Sequence, residues 1–200
     1  MKSKLNLEMG ARNNAKTKRE INDFYATAPV TVEKFLAQIG LDNIEIPGRI
    51  WECACGMGHI SRILEKYGYN VFSSDLIDRG YGHGHIDFLQ TKDLPDDVKT
   101  IITNPLYKFA SEFVLHALEL LPNNGMVIMY VKDRFLEGRT RFNSIFLNNR
   151  PKYVYCHVNR QKIAMNGDFE TYCQSTGSQF YIWAIWQKGY NGDTKLRWII

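Results

Sequence analysis

The sequence predicts an α/β fold: a doubly wound, mostly parallel sheet whose last strand runs antiparallel. Three observations carry this expectation. Short apolar, β-branched runs alternate with amphipathic segments of helical spacing through most of the 200 residues. Residues 126–131 are almost entirely apolar, as a parallel strand covered on both faces requires. The final strand-like runs, 152–158 and 179–187, leave little room for a helix between them, which favours an antiparallel return.

A chain of this length, 44% hydrophobic and 13% aromatic, buries one substantial core and is too short for two ordinary enzyme domains. The expected organisation is a single domain over residues 23–200 behind a tail of residues 1–22. No apolar run approaches the roughly 18 residues of a membrane span, and Met1-Lys2-Ser3-Lys4 leads into no apolar signal core, so a soluble cytoplasmic protein is expected. Cys53, Cys55, Cys156 and Cys173 show no Cys-x-x-Cys pairing and fit reduced thiols better than disulfides or zinc. Residues 1–20 hold Lys2, Lys4, Arg12, Lys16, Lys18 and Arg19 against Glu8 and Glu20, which accounts for the whole net charge of +4. Such a tail either contacts phosphates in a salt-dependent way or stays solvated.

Taken in order, residues 30–39 place Val32, Phe35, Leu36 and Ile39 on one helical face, with Thr31 as N-cap and Gly40 as stop. Residues 49–55 read as a short strand, followed by the loop Gly56-Met57-Gly58. A helix then carries Ile60, Ile63, Leu64 and Tyr67 and ends at Gly68. A second buried strand over residues 70–76 ends in Asp75, at about the spacing from Gly56 that a strand-helix-strand unit with a ribose-binding carboxylate requires. The loop lacks the third glycine of a dinucleotide fingerprint and the Gly-Lys of a phosphate loop, so a nucleoside without a pyrophosphate fits better than NAD or ATP. A plain glycine turn is the alternative.

His83 and His85 lie in a glycine-rich loop with no third ligand, a pattern that favours a polar loop over a metal site. Residues 86–89 read as a short strand containing the polar-aromatic pair Asp87-Phe88. Residues 101–107, Ile-Ile-Thr-Asn-Pro-Leu-Tyr, form a buried strand that ends in a rigid polar turn and opens into a helix through Phe109, Phe113, Val114, Ala117, Leu118 and Leu121. Ligands of open α/β sheets sit just outside the carboxyl ends of strands, which makes Asn104-Pro105 the place to expect chemistry; a plain turn is the alternative, and alone the stretch needs a second site beside it. Residues 139–149 are expected to be helical. Residues 159–178 form a polar connection long enough to be functional or disordered.

Together these stretches resemble the class I S-adenosylmethionine-dependent amino-methyltransferases. Within that group the chain is most similar to the small adenine-specific (N6) DNA methyltransferases of phages and prophages. Tyr25-Ala26-Thr27-Ala28-Pro29 resembles the family's Tyr-x-Thr-Pro segment; Glu52-Cys53-Ala54-Cys55-Gly56-Met57-Gly58 resembles its Glu-Pro-x-x-Gly-x-Gly loop. Asp75 stands where the family has its ribose-binding acid, Asp87-Phe88 where it contacts the cofactor's adenine, and Asn104-Pro105-Leu106-Tyr107 where it has the (Asp or Asn)-Pro-Pro-(Tyr or Phe) tetrapeptide. The resemblance implies a Rossmann-like seven-stranded sheet, S-adenosylmethionine as cofactor and DNA as partner. It assigns Asn104, Pro105 and Tyr107 to catalysis, and Tyr25, Thr27, Glu52, Cys53, Ala54, Gly56, Gly58, Asp75, Asp87, Phe88 and Asn104 to the cofactor. Leu106, Tyr107, Lys108, Arg160 and Lys162 fall to the nucleic acid. The sequence departs from the pattern at Cys53, at the extra Ala28 and at Leu106, which replaces the second proline.

The chemistry accounts for the residue types. An exocyclic amine is a poor nucleophile because its lone pair is delocalised into the ring. Two acceptors, the Asn104 side-chain oxygen and the Pro105 carbonyl, stabilise the positive charge that develops as nitrogen attacks a sulfonium methyl, and no metal is needed. Tyr107 would stack on a flipped base. The same tetrapeptide serves adenine in RNA, cytosine N4 and protein glutamine, and an inactive nucleic-acid-binding relative also fits.

Overall fold

A computed structural model describes residues 25–161, 163–165, 169 and 180–200. The basic tail, Lys162 and most of the 159–178 connection lie outside those residues. The ordered elements are β1 (Tyr25–Thr27), α1 (Pro29–Leu41), β2 (Arg49–Glu52), α2 (His59–Lys66), β3 (Val71–Ser73), β4 (Val98–Thr103), α3 (Ala110–Leu120), β5 (Met126–Lys132), β6 (Tyr153–His157), β7 (Ile163–Met165), β8 (Tyr181–Gln187) and β9 (Lys195–Ile199).

Seven strands form the main sheet in the order β3-β2-β4-β5-β8-β6-β9. β3, β2, β4 and β5 are parallel, and β8 runs antiparallel to both β5 and β6, as the sequence predicts. One further strand, β9, follows β8 and lies parallel to β6 at the sheet's edge. Sequence reading had no element there, because Lys195 to Trp198 face solvent and show no apolar run. β1 and β7 pair antiparallel as a separate ribbon, so the 159–178 connection contains a strand.

Both faces of the sheet are covered, and the alternation of the strands sorts the core in two. Trp51, Ile101, Val127, Met129 and Trp186 pack with α3 on one side. Ile50, Ile102, Ile128, Tyr130 and Trp183 pack with α1 and α2 on the other. On that second face Phe35 of α1 stacks on Trp183 at 4.4 Å, Trp183 lies 4.6 Å from Tyr130, and Tyr130 stacks on Tyr181 at 5.2 Å. This aromatic ladder fixes α1 on the sheet and leads up to the carboxyl ends of the strands.

Three local expectations are corrected. Ala28, with no side-chain cap, precedes α1, and Pro29 at its first position supplies the preset φ instead. Thr31 is not the N-cap; it is fully buried and its hydroxyl donates to Gln161 Oε1 at 2.9 Å. Residues 86–89 form no strand: Asp87 caps a 3-10 turn, Phe88–Gln90, by accepting the Leu89 N–H at 3.0 Å. Residues 139–149 give only a short helical segment, Arg139–Arg141, that continues as a π-helical turn, Phe142–Phe146. No helix among the described residues is long and apolar enough to cross a membrane.

Candidate active site

The site is built where β2 and β4 end side by side. Trp51 is in register with Ile101, and continuing that register brings Cys53-Ala54 alongside Thr103-Asn104. The loop after β2 reverses through Gly56 (φ 56°) and Gly58 (φ 79°), conformations that favour glycine. Two hydrogen bonds fasten it to the segment that follows β3: the Cys55 N–H donates to the Ser74 carbonyl at 2.9 Å and the Gly56 N–H to Asp75 Oδ2 at 2.8 Å.

Asp75 is nearly buried. Its other oxygen accepts the Ile77 N–H at 2.9 Å and faces Arg79 at 3.3 Å. A carboxylate has about four acceptor positions, so among the described residues one remains open after these three contacts. Glu52 has a different job. Its carboxyl is buried and accepts both the N–H (2.8 Å) and the hydroxyl of Ser61 in the first turn of α2, and the Ser61 hydroxyl in turn meets Ser73 at 2.6 Å. Burial dominates its titration, pushing the carboxyl up to about 8 against the pull of Ser61. Burial also raises the Cys53 thiol well above its ordinary value and the Cys55 thiol to about 12, which keeps both sulfurs protonated and poor nucleophiles.

Asn104 follows β4 directly. Its Nδ2 donates to the Tyr25 carbonyl at 2.8 Å and to the Thr27 hydroxyl at 3.1 Å, both on β1. Both amide hydrogens are therefore used, and the partners fix the amide's orientation: the Tyr25 carbonyl only accepts, so nitrogen must face it. Oδ1 is left to accept from elsewhere. Pro105 is buried, and the 3-10 turn Tyr107–Phe109 begins with a bond from the Phe109 N–H to the Leu106 carbonyl at 2.8 Å, one residue beyond the Pro105 carbonyl. Leu106, Tyr107 and Lys108 are exposed, and Lys132 Nζ stands 5.0 Å from the Tyr107 ring centroid.

A Lactococcus lactis protein provisionally assigned as a hemolysin superposes with a TM-score of 0.59 at 11% identity, covering 84% of this chain and 91% of that one. A provisionally assigned class I S-adenosylmethionine-dependent methyltransferase from Listeria monocytogenes gives 0.56 at 14%, covering 96% and 68%. The magnesium protoporphyrin IX methyltransferase of Synechocystis PCC 6803, with S-adenosylmethionine bound, gives 0.53 at 16%, covering 80% and 79%. The chain has the class I methyltransferase fold. No family model matches the sequence, and no curated protein does.

In this methyltransferase fold, Tyr25, Thr27, Asn104, Pro105 and Tyr107 gather at one point, with the loop Cys53, Ala54, Gly56, Gly58 and the Asp75 carboxylate beside it. Two expected cofactor residues are placed otherwise. The Phe88 ring is a core residue, edge-on to Trp51 at 5.2 Å, so only its backbone is available to a ligand. Glu52 acts on the loop through α2. His83 stacks on Phe72 at 4.9 Å, which explains an imidazole in that loop without a metal. Lys132 was missed; the signal was a Lys-Asp pair directly after the apolar run of β5, the same strand-end pattern that marks Asn104.

Proposed function

We propose that this protein transfers a methyl group from S-adenosylmethionine to the exocyclic N6 amine of adenine in DNA. The observation that carries the reading is the Asn104 amide, held by both of its N–H donors with Oδ1 directed away from β1. A group that must accept an amine hydrogen in the transition state gains from being fixed beforehand. The cofactor fits the loop: the glycines at 56 and 58 let backbone approach a ligand, and the open Asp75 acceptor position suits a ribose hydroxyl. When bound, S-adenosylmethionine supplies an activated methyl.

The chain's own residues supply the rest. Asn104 Oδ1 and the Pro105 carbonyl accept the two amine hydrogens and favour the positive charge on nitrogen as the N–C bond forms and the S–C bond breaks; the proton then leaves to solvent. Tyr107, exposed at the mouth, offers a stacking face, with Lys132 nearby for a phosphate.

The test is transfer of labelled methyl from S-adenosylmethionine into unmethylated DNA, with RNA in parallel, followed by nucleoside analysis. The expected product is N6-methyldeoxyadenosine. Label confined to RNA would move the substrate, and cofactor binding without label in either would redirect attention to protein glutamine. Asn104→Ala is expected to lower turnover by about 10²–10³-fold while cofactor binding persists; loss of both would mean that Asn104 supports the fold rather than the reaction.

A further inference from the structure

A depression of about 480 Å³ opens at the same edge of the sheet, beginning one strand beyond Asn104, at the end of β5, and running across β8, β6 and β9. Its wall includes Asp133, Cys156, Val158, Phe180, Ile182 and Trp198. Cys156 is in register with Ile182 on one side and Trp198 on the other, so these three side chains share one sheet face and form an apolar floor. Phe180 is brought in by its carbonyl, which accepts the Asp133 N–H at 3.1 Å, and the Arg160 guanidinium lies 5.1 Å from its ring. Asp133 is exposed and its Oδ1 receives the Arg134 N–H at 2.7 Å; its second oxygen has no hydrogen-bond partner among the described residues.

Two features ask for a ligand of a particular kind. Trp198 is 57% exposed and Phe180 46%, whereas the other three tryptophans are at most 1% exposed. The depression also lies near the proposed catalytic turn, because its wall residue Asp133 directly follows Lys132, whose Nζ stands 5.0 Å from the Tyr107 ring centroid.

Resting on the nucleic-acid reading above, we propose that this depression takes a second, unpaired nucleobase of the substrate, stacked on Trp198 and Phe180 and donating its exocyclic amine to Asp133. Phe180 has the Arg160 guanidinium over its ring, and Lys132 and Arg134, the latter paired with Glu137, flank Asp133 in the chain; exposed aromatic faces with basic groups near by are the pairing of stacking platform and phosphate-attracting charge that single-stranded nucleic acid requires. A carboxylate only accepts, so it favours adenine, cytosine and guanine, whose exocyclic amines each offer two N–H donors, over thymine, whose single donor is its ring N3–H.

The exposure of Trp198 alone among the tryptophans supplies the readout. Acrylamide quenching of the full chain's fluorescence is measured with and without single-stranded homopolymers of dA, dC and dT, and their binding is followed separately by anisotropy of labelled oligomers. The expected result is that dA and dC shield the quenchable fraction and bind about ten-fold more tightly than dT. Trp198→Ala removes the quenchable fraction and lowers dA and dC affinity about ten-fold, and Asp133→Ala narrows the gap to dT. Oligomers that bind while Trp198 stays fully quenchable would overturn the pocket and leave the substrate reading standing. If neither these nor the matching RNA homopolymers bind at all, the nucleic-acid reading fails and takes the pocket with it.

Discussion

The Asn104 side chain does two things at once: its nitrogen joins β4 to β1 and its oxygen stays available. A residue so constrained tolerates no neighbour that drags the turn, which makes Leu106 the informative position. Its φ of −53° and ψ of 118° are close to what proline would impose, and no described residue takes its N–H. Leu106→Pro is therefore expected to stabilise the protein by about 0.4–1 kcal/mol through the unfolded chain, and to hold turnover level or raise it by confining Pro105. Thermal unfolding and the methyl-transfer assay on one preparation decide it. A drop in both would mean that the leucine makes contacts proline cannot replace. The residue types at this turn were legible from their chemistry alone. The role of Thr27 as acceptor for Asn104 was not, because 77 residues separate the pair and only the fold brings β1 over β4.

At the level of elements, the glycine loop is held from outside by the segment after β3. A Cβ on Gly58 would overlap the Tyr81 ring, and Tyr81 is itself fixed by the Arg62 guanidinium 4.5 Å from its ring and by its hydroxyl donating to Glu65 at 3.2 Å. Gly58→Ala has two costs. Its positive φ alone costs about 1–2 kcal/mol, and the overlap with the ring adds to that. Adding Tyr81→Ala removes the overlap and leaves the dihedral cost, so the double variant should lose less than the sum of the singles in urea denaturation. Strict additivity would show that Tyr81 moves aside freely. The strands and helices around this loop were readable because apolar spacing reports burial on one or two faces. Residues 86–89 misled because Ile86 and Phe88 are apolar for the core while Asp87 caps a turn. β9 was overlooked although Leu196 and Trp198 alternate with Lys195 and Arg197, because so short an alternation, with four of its five residues facing solvent at the sheet's edge, is a weak signal.

Across the whole molecule, two ionisable groups buried on the α1–α2 side of the sheet set how stability follows pH. Glu52 titrates at about 8 when folded against 4.5 ordinarily, chiefly through burial, so the folded state holds a proton that the unfolded chain releases. Stability from this group is complete below about pH 4.5 and is lost as pH rises to about 8. His157 runs the other way. Burial, with Lys34 as the smaller cause, lowers it from 6.5 to about 4, and neither ring nitrogen has a partner among the described residues. Its stability is complete above pH 6.5 and is lost as pH falls towards 4. Between about pH 4.5 and 6.5 the two slopes oppose each other; from 6.5 to 8 only the Glu52 slope remains, so the urea midpoint of the natural chain should decline over that interval. Glu52→Gln keeps an acceptor for Ser61 and removes the titration. Its midpoint should rise with pH from 4 to 6.5 and then stay level to 8, crossing above the natural chain in the upper range. Parallel profiles for the two proteins would mean that the Glu52 carboxyl is solvated enough to ionise normally, and that the loop it braces through Ser61 is looser than the buried network around it implies.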